Sequence, residues 1–481
     1  MPRRSLLMVV VLASAACRSQ DARAAQPGVL APAHFADRVA LHSPAPGAPD
    51  EPPVEADGAP REGAEADAFA IDLAMALEMG GANSLQVELA RAMLAESNAL
   101  LDTAEARWLP DLWLGVSYEK HEGALQETTG NVLDVSRNAG FIGAGLFASF
   151  NFVDALLEPR SALLDVDAAG ADVAASVNDT LLGIALAYND LLEAQSLRGL
   201  ALENVALARD LVELAEAFSR SGQGLESDAA RARNELAGRR RILAAAEESI
   251  ALRSTVLAKR LRLDPTLALR ADEPALVPFV LVPGELELDR LIAQAMESRP
   301  DLRSLESTVQ AQEEREAQER LRPFVPRLNV GVRGGGLGGG TGSNFDDFDE
   351  EGELTASLVW TVRNLGAGES AARRRKAAQH RQAIIRLQLA RDSVAEEVSL
   401  AHVQIREGRR QMEFAARTVA ESLESLELNM RRIRGAEGLP IEALQAIDAS
   451  AKAKDTYLAT VAEFNRSQFR LLRAVGSAPR P

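Results

Sequence analysis

The chain has a single cysteine, Cys17, and only three tryptophans, three tyrosines and five histidines in 481 residues. One thiol excludes an internal disulfide framework and any cysteine-based metal site. His34, His42, His121, His380 and His402 are scattered without metal-ligand spacing, and no catalytic constellation accompanies them. Neither enzyme activity nor a cofactor or bound metal is therefore expected. Aromatics make up 4% of the chain while Ala, Leu, Glu and Arg are prominent, a composition suited to long amphipathic helices. Positive charge is also short, with a formal net charge of −17 that argues against a nucleic-acid partner. The local basic run Arg373-Arg374-Arg375-Lys376 falls in a helical pattern and reads as a solvated face.

Two stretches look chemical and lack the residues to be so. "GGGLGGGTG" from Gly334 is not followed by the Gly-Lys-Ser/Thr of a phosphate loop, and it reads as a flexible surface loop. "DDFDEE", Asp346 to Glu351, lacks the spaced ligands and turn glycine of a calcium loop and reads as a solvated acidic loop.

At the N-terminus, Arg3 and Arg4 precede an apolar run from Leu6 to Ala13, and small residues lead into Cys17. This predicts an export signal over residues 1–17, too short to span a bilayer as a helix. "LASAAC" resembles a bacterial lipobox, with Ser14 where Leu is usual, which makes Cys17 the candidate lipidation site. The alternative is an ordinary signal peptide that ends near a cysteine. Residues 18–66 are rich in Pro, Ala and Gly and read as a tether that buries too little apolar surface to order itself.

Beyond the tether the hydrophobic period alternates between two regimes. Helical periodicity runs from Ala68 to Arg107, with a weak point at Gly80-Gly81, and ends at Pro110. Period two follows: Leu112, Leu114, Val116 and Tyr118 fall on one face, then Ile142, Ala144, Leu146, Ala148, Phe150 and Phe152 after a polar loop. The pattern returns after Pro326 in Leu328, Val330 and Val332, and again in Leu354, Ala356, Leu358, Trp360 and Val362. These predict four strands of roughly nine to eleven residues, the length of a tilted bilayer-spanning strand. The opposite face is small and polar, including Ser117, Gly143, Ser149, Asn151, Asn329, Gly331, Thr355 and Ser357.

Between the strand pairs the apolar spacing alternates four and three. It runs through Ile184, Ala187, Leu191, Ala194, Ala201, Val205, Ala208, Val212 and Ala215, and again through Val394, Val398, Ala401, Ile405, Met412 and onward to Ile433. A sustained 3.5-residue repeat specifies coiled-coil packing. It predicts helices over 155–218, 225–263, 367–433 and 441–475. The two halves, 67–265 and 285–476, join through the Pro-punctuated linker 266–284 and leave a short tail at 477–481. They are internally duplicated. Gly224-Leu225 overlies Gly438-Leu439 at an offset of 438 − 224 = 214, and the same offset lays "AYNDLLEAQ" from Ala187 over "AHVQIREGR" from Ala401. Gly222, Gly224, Gly435 and Gly438 sit at the reversal between the long helices, where positive φ angles are expected of them.

Four strands with one apolar face leave open edges, and in lipid a sheet must close into a barrel of about eight strands or more. One chain cannot do this alone. The alternative is a soluble packing of strand pairs on helices. The order of segments resembles the TolC-like outer-membrane efflux proteins over nearly all of residues 68–476. The tip pattern is met in part by Gly224, Asp228 and Ala232, and again by Gly438, Glu442, Leu444 and Ala446. Pro110, Pro326, "LDP" at Leu263 to Pro265 and "RPDLRSLES" from Arg299 also look like family segments. Val359-Trp360-Thr361-Val362 departs from the family's Pro-Leu-Phe where the fourth strand meets its helix.

The resemblance implies a mainly α chain with a four-strand segment, its coiled-coil hairpins continuing a twelve-stranded transmembrane barrel completed by a homotrimer. It further implies an outer-membrane exit duct that contacts lipid and works with a periplasmic adaptor and an inner-membrane pump. By that analogy Gly222, Gly224, Leu225, Gly435, Gly438 and Leu439 are candidates for adaptor contact at the periplasmic tips. Asp228 and Glu442 are candidates for an entrance gate, although carboxylates that simply begin their helices read equally well. A secreted or lipid-anchored coiled-coil scaffold without a pore remains the alternative function.

Overall fold

The computed structural model describes residues 68–479 apart from 223, 283–286, 343–345 and 436. The leader, Cys17 and the tether lie outside the described residues. In chain order the elements are β1 (Phe69–Ile71), α1 (Leu73–Asn83), α2 (Leu85–Glu105), β2 (Asp111–Gln126), β3 (Val132–Asn151), α3 (Phe152–Arg220) and α4 (Glu226–Leu261). The second half follows with β4 (Leu269–Ala271), α5 (Leu288–Ser298), α6 (Pro300–Leu321), β5 (Arg327–Thr341), β6 (Asp346–Val359), α7 (Ala367–Arg434) and α8 (Pro440–Ala474).

Local chemistry sets many of these boundaries. Asp72 accepts a hydrogen bond from the Met75 amide at 2.6 Å and caps α1, and Ser84 caps α2 through the Val87 amide. The helical break therefore falls at Ser84 and not at Gly80-Gly81. Gly80 marks a close approach instead, since a Cβ there would stand 2.1 Å from Ile184 Cδ1 on α3. Pro300 opens α6 and Pro440 opens α8, where the missing amide hydrogen costs nothing.

At 69 and 68 residues, α3 and α7 are rods of about 100 Å. All nine coiled-coil positions of α3 from Ile184 to Ala215 are buried. In α7 the seam holds at Val394, Val398, Ala401 and Ile405, and again at Leu426, Met430 and Ile433, but Leu423 is exposed and Ser422 takes the buried place.

β2, β3, β5 and β6 form one antiparallel sheet in that order, so the halves meet through β3 and β5. The helices nearest the sheet keep the same order, α2 on α3, α3 on α6, α6 on α7. Farther away the order is α4, α3, α8, α7. One apolar core lies at mid-length where α1, α3, α4 and the linker meet, and another joins α5, α7 and α8. A third ties the two helical hairpins together near their tips. The parallel pairing of β1 with β4, which clamps the start of the first half to the linker, has no counterpart in the sequence reading.

The strands are longer than expected, at 16, 20, 15 and 14 residues. The segment after Tyr118, His121 included, lies largely in β2 and β3 and not in the polar loop its composition predicts. The Gly-rich run from Gly334 and the acidic run to Glu351 are also strand, not loop. Packing explains the glycines: a Cβ on Gly335 would lie 2.3 Å from the Ile142 carbonyl oxygen, and one on Gly338 2.5 Å from the Phe348 ring. The acidic run pairs with that glycine strand, and Arg333 answers its last carboxylate, Glu351, together with Glu353 just beyond it.

Candidate channel wall and helical tips

Cross-strand register sorts the sheet into two chemically distinct faces. On one, Leu112, Leu146, Val332 and Leu354 align in a row across all four strands, and Phe150, Leu328 and Leu358 form another. Leu112, Leu114 and Val116 on this face are 66%, 70% and 73% exposed in the single chain. Such a contiguous apolar surface requires a partner or a lipid environment.

The other face carries a polar ladder: Ser149 Oγ donates to Asn329 Oδ1 at 2.8 Å, and Asn329 Nδ2 donates to Ser357 Oγ at 3.2 Å. Gly143, Gly331 and Thr355 share it, as expected. Three aromatics, Trp113, Phe141 and Phe147, lie on the same side, which the sequence pattern marks only as small and polar. Strict alternation counted back and forward from Gly143 would have found the last two. Trp113 stacks on Phe141 at 5.8 Å, the Arg333 guanidinium lies 5.2 Å from the Phe141 ring centre, and Arg333 pairs with Glu353 at 2.6 Å and Glu351 at 3.0 Å. Neighbouring glycines make room for these rings: a Cβ on Gly143 would lie 2.5 Å from Phe141 Cζ.

An ionic network fastens the sheet to the helices. Glu319, nearly buried at the end of α6, accepts from Arg322 at 2.8 Å and from Arg363 in the β6–α7 turn. Arg363 also donates to Glu369 at 2.7 Å, and Arg322 to Asp154 of α3 at 2.7 Å. The hydrogen bonds from Arg363, against the opposing effect of burial, lower the Glu369 pKa to about 2. Asn364 and Leu365, at φ 52° and 55°, take left-handed conformations in this turn, which the network holds in place.

At the far end both helical reversals stand together, joined by the third core. Gly222 has φ +76° as expected, but Gly224, Gly435 and Gly438 do not take positive φ. Gly224 and Gly438 serve close packing instead, since added Cβ atoms would come 3.0 Å from Phe218 Cβ and 3.1 Å from Ile433 Cγ1. Leu225 and Leu439 are exposed at the tips. Asp228 and Glu442 lie in the first turns of α4 and α8, and each has a cation. Arg231 is 3.7 Å from Asp228, and Arg432 is 3.1 Å from Glu442 across the turn. Among the described residues no group of three or more His, Cys, Asp or Glu is placed to hold a metal, and no helix is long and apolar enough to cross a membrane.

Coiled-coil hairpins in line with a two-faced four-stranded sheet define the subunit fold of the outer-membrane channels. Three solved structures make the likeness specific. The outer membrane protein VceC of Vibrio cholerae matches with TM-score 0.73 at 17% identity, covering 84% of this chain and 96% of its own. The CmeC outer membrane channel of Campylobacter jejuni gives 0.74 at 15% identity over 84% and 85%, and the open state of the MtrE channel of Neisseria gonorrhoeae gives 0.67 at 17% over 85% and 89%. No protein-family model and no curated protein matches the sequence. The TolC-like fold expected from the duplicated segment order is thus borne out.

Proposed function

We propose that the chain is one protomer of a homotrimeric outer-membrane exit duct that conducts substrates passively. One observation carries this reading: both layers end in unsatisfied edges on the same two sides. Among the described residues β2 and β6 each have a neighbour on one side only. Below them, α2 exposes Leu85, Leu89, Met93 and Leu100, while α7 exposes Ile385, Leu389, Leu400 and Val403. A second copy set beside the first pairs β6 with β2 and covers both helical stripes at once. Three copies bring twelve strands, enough to close a barrel, with the apolar rows toward lipid and the Ser149–Asn329–Ser357 ladder toward the lumen. A soluble scaffold leaves the Leu112–Leu354 row facing water.

The helical hairpins then extend into the periplasm, and six tips gather at their end. Gly222, Gly224, Leu225, Gly435, Gly438 and Leu439 present the surface for a periplasmic adaptor that links the duct to an inner-membrane pump. Asp228 and Glu442 contribute to an entrance ring, and acylated Cys17 adds a second hold on the membrane. The duct needs no reaction centre. The test is current through planar bilayers: inserted protein gives stable ion-conducting steps, and protein that inserts without conducting removes the duct reading.

A further inference from the structure

The basic run Arg373–Lys376 is not wholly a solvated face. Where α6 and α7 lie side by side, a cleft of about 450 Å³ opens between them, lined by Gln312, Arg315, Lys376, Gln379, Gln382 and Arg386, with no Asp or Glu in the lining. Arg315 is engaged by Asp165 of α3. Among the described residues the side chains of the other five make no hydrogen bond or ion pair within the chain. Two ammonium or guanidinium groups and three amides, all with donors to spare, therefore face one polar space. Burial lowers the Lys376 pKa, and the Arg315 and Arg375 charges lower it further, with Glu319 opposing. Cations crowded in this way are relieved by a bound anion.

We propose that this cleft binds an elongated oxyanion with two or more negative groups, of the diphosphate class. Length follows from the spacing of the cations: Lys376 and Arg386 are ten residues apart on one helix, about 15 Å along its axis. A single phosphate meets both only with the two side chains stretched toward each other along the helix, whereas two or three linked phosphates meet them in ordinary conformations. The occupant is free in the aqueous compartment. Lys376 lies ten residues past the Arg363–Gly366 turn, again about 15 Å beyond the end of the sheet, which is too far for a lipid headgroup held at the sheet's edge. The cleft itself is built within one chain, and only the choice of a free anion over a lipid headgroup rests on the channel reading.

Titration calorimetry on the full chain in detergent, at fixed ionic strength, tests the proposal with pyrophosphate, orthophosphate and short-chain phosphatidylglycerol as separate titrants. Pyrophosphate binds more tightly than orthophosphate, and K376Q and R386Q each weaken it about tenfold. R381Q, an exposed cation on the same helix, leaves it unchanged. The two single variants are read separately from K376Q/R386Q, so the outcome does not rest on the double variant folding. Equal pyrophosphate affinity in wild type and both single variants, or an equal loss in R381Q, overturns the site. Phosphatidylglycerol binding in place of pyrophosphate overturns the free-anion assignment.

Discussion

Glu319→Ala probes the joint between sheet and helices. The Glu319 carboxylate is 3% exposed and is held by Arg322 and Arg363, which are 33% and 39% exposed. Removing one member of a buried ion cluster costs about 3–5 kcal/mol. Both arginines keep another carboxylate, Asp154 for Arg322 and Glu369 for Arg363, so the loss falls at the low end, about 3 kcal/mol. The comparison is Arg391→Gln, which breaks the Arg391–Glu306 pair between side chains 48% and 42% exposed and costs about 0.5 kcal/mol. Urea unfolding followed by helical ellipticity reads both, as a shift of midpoint at unchanged slope. A Glu319→Ala shift no larger than that of Arg391→Gln refutes the view that this network fastens the two layers.

The same network predicts an acid response. Because the Glu369 pKa falls from 4.5 to about 2 in the folded chain, its contribution is complete above pH 4.5 and is lost as the pH falls toward 2, a loss that Glu369→Gln abolishes in acid-unfolding curves. On the sheet, Leu146→Arg costs about 2–4 kcal/mol of insertion if its row meets the bilayer midplane, while Ser357→Arg on the opposite face costs close to none; heat-modifiable migration of the membrane fraction distinguishes them. At the tips, Gly222→Ala at φ +76° destabilises by about 1 kcal/mol in thermal unfolding, whereas Gly435→Ala at φ −82° is near neutral.

The long-range order of this chain was legible because it is written in periods. Nine seam residues of α3 announce a rod, and Leu112, Leu146, Val332 and Leu354 announce one face of a sheet before their strands are paired. Strand length was not legible, because glycine and acidic runs carry loop composition. Only the facing strand shows that the Ile142 carbonyl excludes a side chain at Gly335. The tip glycines were legible as a reversal but not as conformations, since close packing and positive φ both select glycine. The Glu319–Arg363 pair, 44 residues apart, and the Lys376 cleft left no local signal, because each is made by helices that meet only in the fold.

In the proposed assembly the open edges of one chain are closed by copies of itself. Electron cryomicroscopy of detergent-purified full-length protein tests it most directly. Three-fold particles are expected, in which β6 of each copy is hydrogen-bonded to β2 of the next, giving a closed sheet of twelve strands over a tube of helices. Single copies, or rings whose sheets stay open at β2 and β6, contradict it.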